Sequence, residues 1–377
     1  MSSTPQDGTG LSEPSGSAPV AARLVLSDGS EFEGRAFGSL KSARGEVVFT
    51  TGMVGYPESM TDPSYRGQIL VSTYPLIGNY GVPGEEVVDG LPVGFEADRI
   101  HVRGLVVSRL SNDHTHYLAA RSLHQWMESE GVVGIEGIDT RALTQKLRHE
   151  GCAPGKILVD ADEGSDVTES SEFSHIGDRN LVAEVSVTEP ILYGEGAKRV
   201  VLVDCGAKLN IVRSLVSRGV SVLRVPWDYD LAQADGHGIL VSNGPGDPKR
   251  ADATIENLRA AIGGERPVFG ICLGNQLVGR AIGCETYKLK FGHRSQNQPC
   301  REVGTSRCWI TSQNHGYALD TKTLPDEWEE WFVNANDGTN EGIRHESGRF
   351  STVQFHPEAT PGPRDSASLF DRFVESL

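Results

Sequence analysis

The stretch Pro267-Val268-Phe269-Gly270-Ile271-Cys272-Leu273-Gly274-Asn275-Gln276 decides the fold. PVFGI, residues 267–271, is short and apolar and reads as a buried strand. From Gln276 onward Leu277, Val278, Ala281 and Ile282 recur at helical spacing, which predicts a helix over 276–282. Cys272 lies at the junction, with Gly270 and Gly274 two residues away on either side. Such a strand-to-helix elbow needs a tight, strained turn, and flanking glycines let neighbouring backbone pass close to it. The sulfur then projects from the carboxyl edge of a sheet, beside the positive end of a helix. A free thiol titrates near ~8.5, and a helix N-terminus with a cationic neighbour brings it to about 7 or below. The pattern is that of a nucleophile.

Around the elbow the chain alternates strand and helix. VVLVDCG (200–206) is a continuous apolar run, as expected of a strand buried on both faces. A helix is predicted over 210–217, strands over 220–225 and 238–241, and another helix over 254–262. This alternation predicts an α/β fold with a doubly wound, mostly parallel sheet and sites on loops at the carboxyl ends of its strands. Ser242-Asn243-Gly244-Pro245-Gly246-Asp247-Pro248 falls at that edge, as does Cys272. It lacks the glycine spacing of a nucleotide loop, and the chain shows no convincing ATP site.

A cysteine nucleophile needs a base and a group that orients the base. Ser351-Thr352-Val353-Gln354-Phe355-His356-Pro357-Glu358 delivers both: a strand-like run ends in His356, and Pro357 stiffens the link to Glu358. The amide of Leu273, next after the nucleophile, is one donor for a developing oxyanion, and Gly244 can supply a second. Among the remaining histidines of this half, His237, His293, His315 and His345, only His315 in Gln313-Asn314-His315-Gly316-Tyr317 is expected near the site. No zinc-ligand spacing is present.

The first half reads differently. Short apolar runs at 24–26, 31–37, 46–50, 68–73 and 101–107, separated by Gly, Pro, Asp and Asn, predict strands. Helices are predicted over 117–130 and from Asp139-Thr140-Arg141 through Leu147, which gives a smaller α+β domain. His101, His114, His116, His124 and His149 show no ligand-like clustering there and are expected to be surface or structural. Residues 160–172 (DADEGSDVTESSE) are acidic and aperiodic and read as a surface loop or linker. The domain boundaries expected are a disordered tail over 1–22, the α+β domain over 23–155, a linker over 156–197 and the α/β domain over 198–377.

Composition narrows the function classes. A net charge of −16 without a long basic cluster argues against nucleic acid as the main partner. The chain has no apolar run long enough to cross a membrane as a helix, and residues 1–22, rich in Ser, Gly, Pro and Thr without Arg or Lys before Arg23, read as neither a secretory signal nor an Arg-rich transit peptide. Its six cysteines include no C-x-x-C pair and are expected to be reduced, which points to the cytoplasm.

GICLGNQ (270–276), SNGPGDP (242–248) and FHPEATPGP (355–363) together resemble a class I, triad-type glutamine amidotransferase. TGMVGYPESMTDPSYRGQILVSTYPLIGNYG (51–81) and GIEGIDTRALTQKLRHEG (134–151) resemble the small subunit, or glutaminase portion, of carbamoyl-phosphate synthetase. YKLKFGHRSQNQPC (287–300) and NANDGTNEGIRHES (334–347) are similar to the eukaryotic versions, including the multifunctional pyrimidine-pathway protein. The resemblance implies a glutaminase with Cys272, His356 and Glu358 as its triad. It implies glutamine contacts from Ser64, Gly244, Gly246, Leu273, Gln276, Asn314, Gly316 and Tyr317. Ser64 belongs to the first half, so the implied site lies between the two domains. Ammonia would pass to a synthetase large subunit or fused synthetase domains, where ATP, bicarbonate and metal ions act; no cofactor is implied for this chain. Many members carry His at the position of Asn275, which leaves its effect on activity open and a silent regulatory role as one alternative; an amidotransferase serving another synthase is a second, against which the segment 51–81 argues.

Overall fold

The computed structural model describes residues 19–377. Most of the tail expected over 1–22 therefore lies outside the described residues, but Ala21 and Ala22 already belong to the first strand.

Seven strands close into a barrel in the order Ala21–Leu26, Ala153–Val159, Ala43–Thr50, Gln68–Ser72, Gly104–Val106, Val133–Glu136 and Glu31–Gly38, the last pairing back to the first. Leu24, Leu26, Val47, Ile69, Val71, Val106, Val133, Ile135 and Ile157 share one core cluster. Neighbouring positions Val48, Leu70, Leu105 and Val107 join a second cluster with Met60, Leu123 and Trp126, as the two-residue period of strands requires. The last barrel strand runs to Val159, beyond the boundary expected at 155.

The helix expected over 117–130 is shorter. Ala119–Arg121 is a strand and the helix is Leu123–Ser129. Ser122 and Gln125 form a reciprocal capping box that sets the helix start, and Tyr117 is 88% exposed, with no core to hold it in a helical turn. Asp139 caps the helix Thr140–Glu150 through Ala142 N.

The second half is built on a sheet of ten strands. Ser221–Pro226, Arg199–Asp204, Gly238–Val241, Val268–Ile271 and Phe350–Val353 are neighbours in parallel. Asn340–His345, Trp328–Asn334, Glu285–Glu302 and Cys308–Asp320 extend this core as an antiparallel arm. The other edge carries Ile191–Tyr193, antiparallel and inside the segment expected as linker. Val200, Leu202, Leu240, Phe269 and Ile271 face one side with Phe370 and Phe373. Val201, Val203, Ile239, Val241 and Val268 face the other with Leu258 and Leu277. Burial on both faces explains why these strands are apolar throughout.

The acidic segment 160–172 is tied down. Lys156, fully buried, donates from Nζ to the carbonyl oxygens of Thr168 and Glu169 at 3.0 Å each and to that of Ser171. No described helix is long and apolar enough to cross a membrane.

Candidate active site

The elbow has the geometry its glycines demand. The strand Val268–Ile271 ends at Cys272, and the helix begins at Leu273 and runs to Ala281, three residues earlier than its apolar spacing predicted. Cys272 has φ +56° and ψ −102°, a conformation that costs a non-glycine residue roughly 1–3 kcal/mol. Its amide donates to Val353 O at 2.8 Å, which fastens the turn to the next strand. A Cβ on Gly274 would lie 2.2 Å from Val241 O, and one on Gly270 2.7 Å from Gly274 O. The helix therefore crosses the sheet at backbone contact, and nothing larger fits. Leu273 is the first helical residue, so its amide has no intrahelical acceptor.

His356 follows the adjacent strand and is held by its amide, which donates to Ser312 O at 2.9 Å. Its Nδ1 is 2.6 Å from Glu358 Oε1, and both side chains are buried. Nε2 is buried without a hydrogen-bond partner at normal distance; Cys272 is the group that bears on it. Burial opposes a charge on His356, but Glu358 and then Cys272 outweigh it and push its pKa up to about 10. Burial likewise opposes charge on Glu358, yet Lys208, whose Nζ is 3.1 Å from Oε1, and then His356 pull it down to about 2. The arrangement is a cysteine sulfur beside an imidazolium that a buried carboxylate orients and stabilises.

Ser64, Gly244, Gly246, Cys272, Leu273, Gln276, Asn314, Gly316 and Tyr317 all line one cleft. The structure thus brings together every substrate-contact residue that the resemblance implied. A Cβ on Gly244 would fall 2.1 Å from Cys205 O and 2.8 Å from Leu273 Cδ2, so the Gly244 backbone sits against the elbow. Gln276 Nε2 donates to Tyr317 O at 2.9 Å, joining the elbow helix to the opposite wall. Ser64 arrives from the barrel half on the short turn Pro63–Tyr65, capped by Asp62. Asn243 Nδ2 donates to Ser64 Oγ at 2.8 Å, and Asn314 Nδ2 donates to Asp62 Oδ2 at 3.1 Å.

Three of these residues escaped the sequence reading. Lys208 follows the strand Arg199–Asp204 at the same carboxyl edge, so its place in the fold was a usable signal. Asp62 and Asn243 lie inside the quoted stretches 51–81 and 242–248, but only the meeting of the two halves makes them partners. Asn275 turns away from the chemistry: Nδ2 donates to Gln354 Oε1 at 3.0 Å and Oδ1 accepts from Thr352 at 2.6 Å, in a buried network beneath the elbow.

His315 lines the cleft as expected, but His293 belongs with it, contrary to expectation. The two rings meet edge to face at 4.9 Å, and His293 Nε2 is 2.9 Å from Asp337 Oδ2. Burial opposes protonation of His293, but Glu341 and then Asp337 raise its pKa; burial and then His293 hold His315 well below the ordinary value. His293, His315 and Glu341 bring potential ligand atoms within 4.8 Å of one another. His315 Nδ1 lies 2.9 Å from Tyr317 O and Nε2 3.1 Å from Gln313 Oε1, so the neutral ring donates to one of these two acceptors, and the cluster stands behind the pocket wall.

Comparison with known proteins follows the same division. Residues 24–157 match the carbamoyl-phosphate synthase small chain, CPSase domain, and residues 201–376 match the class-I glutamine amidotransferase domain. The chain is 48% identical over 375 residues to the carbamoyl phosphate synthase arginine-specific small chain of Saccharomyces cerevisiae, covering 96% of this chain and 90% of that one. It is 49% identical over 395 residues to the multifunctional protein pyrABCN of Emericella nidulans, covering 96% of this chain but 17% of that protein. With the multifunctional protein CAD of Squalus acanthias the identity is 50% over 358 residues, covering 94% of this chain and 16% of that protein. The chain therefore spans only a small part of the length of these multifunctional relatives. A barrel followed by an amidotransferase sheet, matched along nearly the whole of a separate small chain, places this protein in the carbamoyl-phosphate synthase small chain family.

Proposed function

We propose that the chain hydrolyses glutamine to glutamate and ammonia through a glutamyl thioester on Cys272. The observation that carries this reading is the strained Cys272 elbow beside the buried His356–Glu358 pair. Cys272 Sγ, as the thiolate, attacks the carboxamide carbon, and the carbonyl oxygen becomes an oxyanion. The amides of Leu273 and Gly244 stabilise that charge; one such donor is worth about 3–4 kcal/mol in a transition state. The proton held on His356 passes to the departing nitrogen, the C–N bond breaks, and ammonia leaves a thioester behind. Neutral His356 then takes a proton from water, whose oxygen attacks the thioester carbon. Breakage of the C–S bond releases glutamate and restores the thiolate–imidazolium pair. Glu358 keeps Nδ1 protonated and the ring aimed at the sulfur throughout. Ser64, Gly246, Gln276, Asn314, Gly316 and Tyr317 hold the rest of the substrate.

The ammonia serves a carbamoyl-phosphate synthetase large subunit or fused synthetase domains, in the cytoplasm, where ATP and bicarbonate are used. The similarity to an arginine-specific small chain and to multifunctional pyrimidine-type proteins supports that partner. The family's frequent histidine at the position of Asn275 raised a catalytically silent role, but Asn275 is spent on Thr352 and Gln354 beneath the elbow. Incubation with an electrophilic glutamine analogue tests the reading. Stoichiometric labelling of Cys272, abolished in Cys272→Ala, is expected; an unlabelled protein with its synthetase partner present overturns it.

A further inference from the structure

A second cleft opens on the barrel half away from the elbow. Lys41, Arg66, Arg99 and Arg103 line it, and Glu130 is the one carboxylate among its lining residues. That balance runs against the rest of a chain whose net charge is −16. Among the described residues, Lys41, Arg99 and Arg103 have no carboxylate partner within 4.0 Å, while Arg66 shares Glu184 with Arg179. Burial, then Arg66, Arg179 and Arg44, lower the pKa of Arg103, so the cations repel one another. Ile100, buried with Val102 and Val133, forms the floor.

We infer that this cleft binds a small phosphate-bearing anion. Guanidinium forks match phosphate oxygens in pairs, and gathering three of them with a lysine creates a field that only an anion relieves. A long polyanion is disfavoured, because the positive field is confined to one concavity on an acidic molecule. The ligand class is therefore a compact one with two or more negative charges, such as a pyrophosphate group, rather than nucleic acid. None of the four cations lines the cleft that holds Cys272, so the inference stands apart from the glutaminase reading.

Isothermal titration of the full 377-residue chain with inorganic pyrophosphate, with citrate as a tricarboxylate control at matched ionic strength, tests it. Saturable pyrophosphate binding is expected, weakened about tenfold by Arg99→Gln and again by Arg103→Gln, the loss of a charge-assisted bond in each case. Thermal unfolding of each variant without ligand checks that the fold is kept. No pyrophosphate binding, equal binding of citrate, or binding that both variants retain overturns the assignment. The citrate outcome would instead mark the cleft as a seat for an acidic protein segment.

Discussion

Asn243 Nδ2 donates a 2.8 Å hydrogen bond to Ser64 Oγ across 179 residues of sequence, and both residues are buried. The bond joins the loop after the strand Gly238–Val241 to the turn that the barrel half pushes into the substrate cleft. It makes the cleft a product of both halves. Asn243→Ala frees Ser64 and removes a partner of Asp62, and is expected to raise the glutamine KM about tenfold, with kcat nearly unchanged. Steady-state ammonia release checks this; a fall in kcat at unchanged KM would show that the junction acts on the chemistry instead.

Cys272→Ala removes the proposed nucleophile without altering the elbow backbone. Glutamine hydrolysis is expected to fall at least about 10³-fold, with folding stability kept within roughly 1 kcal/mol. Activity assays alongside urea unfolding separate a chemical loss from a folding defect.

Gly244→Ala places a methyl group 2.1 Å from Cys205 O. The backbone must move, and its amide with it. A drop in kcat of about 10²–10³ is expected, as for loss of an oxyanion donor. Thioester formation measured by rapid quench reports whether the first step carries the loss.

The buried Glu358–His356 pair also sets a pH window. Glu358 sits at about 2 in the folded chain against an ordinary 4.5, so its stabilising contribution is present above 4.5 and lost as pH falls through about 2. His356, raised to about 10 from 6.5, contributes fully below 6.5 and loses that contribution as pH rises through about 10. Lys208→Met removes the strongest influence that lowers Glu358. Its acid unfolding is expected to begin at a higher pH, with a stability loss at neutral pH of about 3–5 kcal/mol from the stranded buried carboxylate. Thermal midpoints measured across the acid range test this; an unchanged acid limb contradicts the pairing.

Asn275→Ala leaves the Thr352 hydroxyl and Gln354 Oε1 each short of a partner. A destabilisation of about 1–3 kcal/mol is expected, with kcat/KM for glutamine kept within a few-fold. Denaturant melts and steady-state kinetics, measured on one preparation, distinguish a supporting residue from a catalytic one.

Local pattern was enough for the elbow. Apolar runs buried on two faces, glycines at 270 and 274 and a cysteine between them dictate a strand, a strained turn and a helix, because each depends on near neighbours in the chain. His356 and Glu358 were legible for the same reason: two residues apart, with a proline between, they must share a turn. Where the helix begins was less legible. Gly274 and Asn275 lack apolar side chains to extend the period, yet close packing of Gly274 over Val241 makes them helical. Tyr117 shows the converse, an apolar residue whose side chain finds no core and whose backbone is not helical.

The sequence by itself determined the residue types of the proposed triad, the glycines beside the Cys272 elbow and the strand–helix order that puts them at one sheet edge. Tertiary structure decided how they are charged and held. Lys208 reaches Glu358 across 150 residues, Asp62 and Asn243 couple the barrel to the sheet, and His293 braces His315 from the neighbouring strand. Those pairings join positions far apart in the chain. No local period encodes such a contact, because it exists only once burial has brought the two surfaces together and stripped their water.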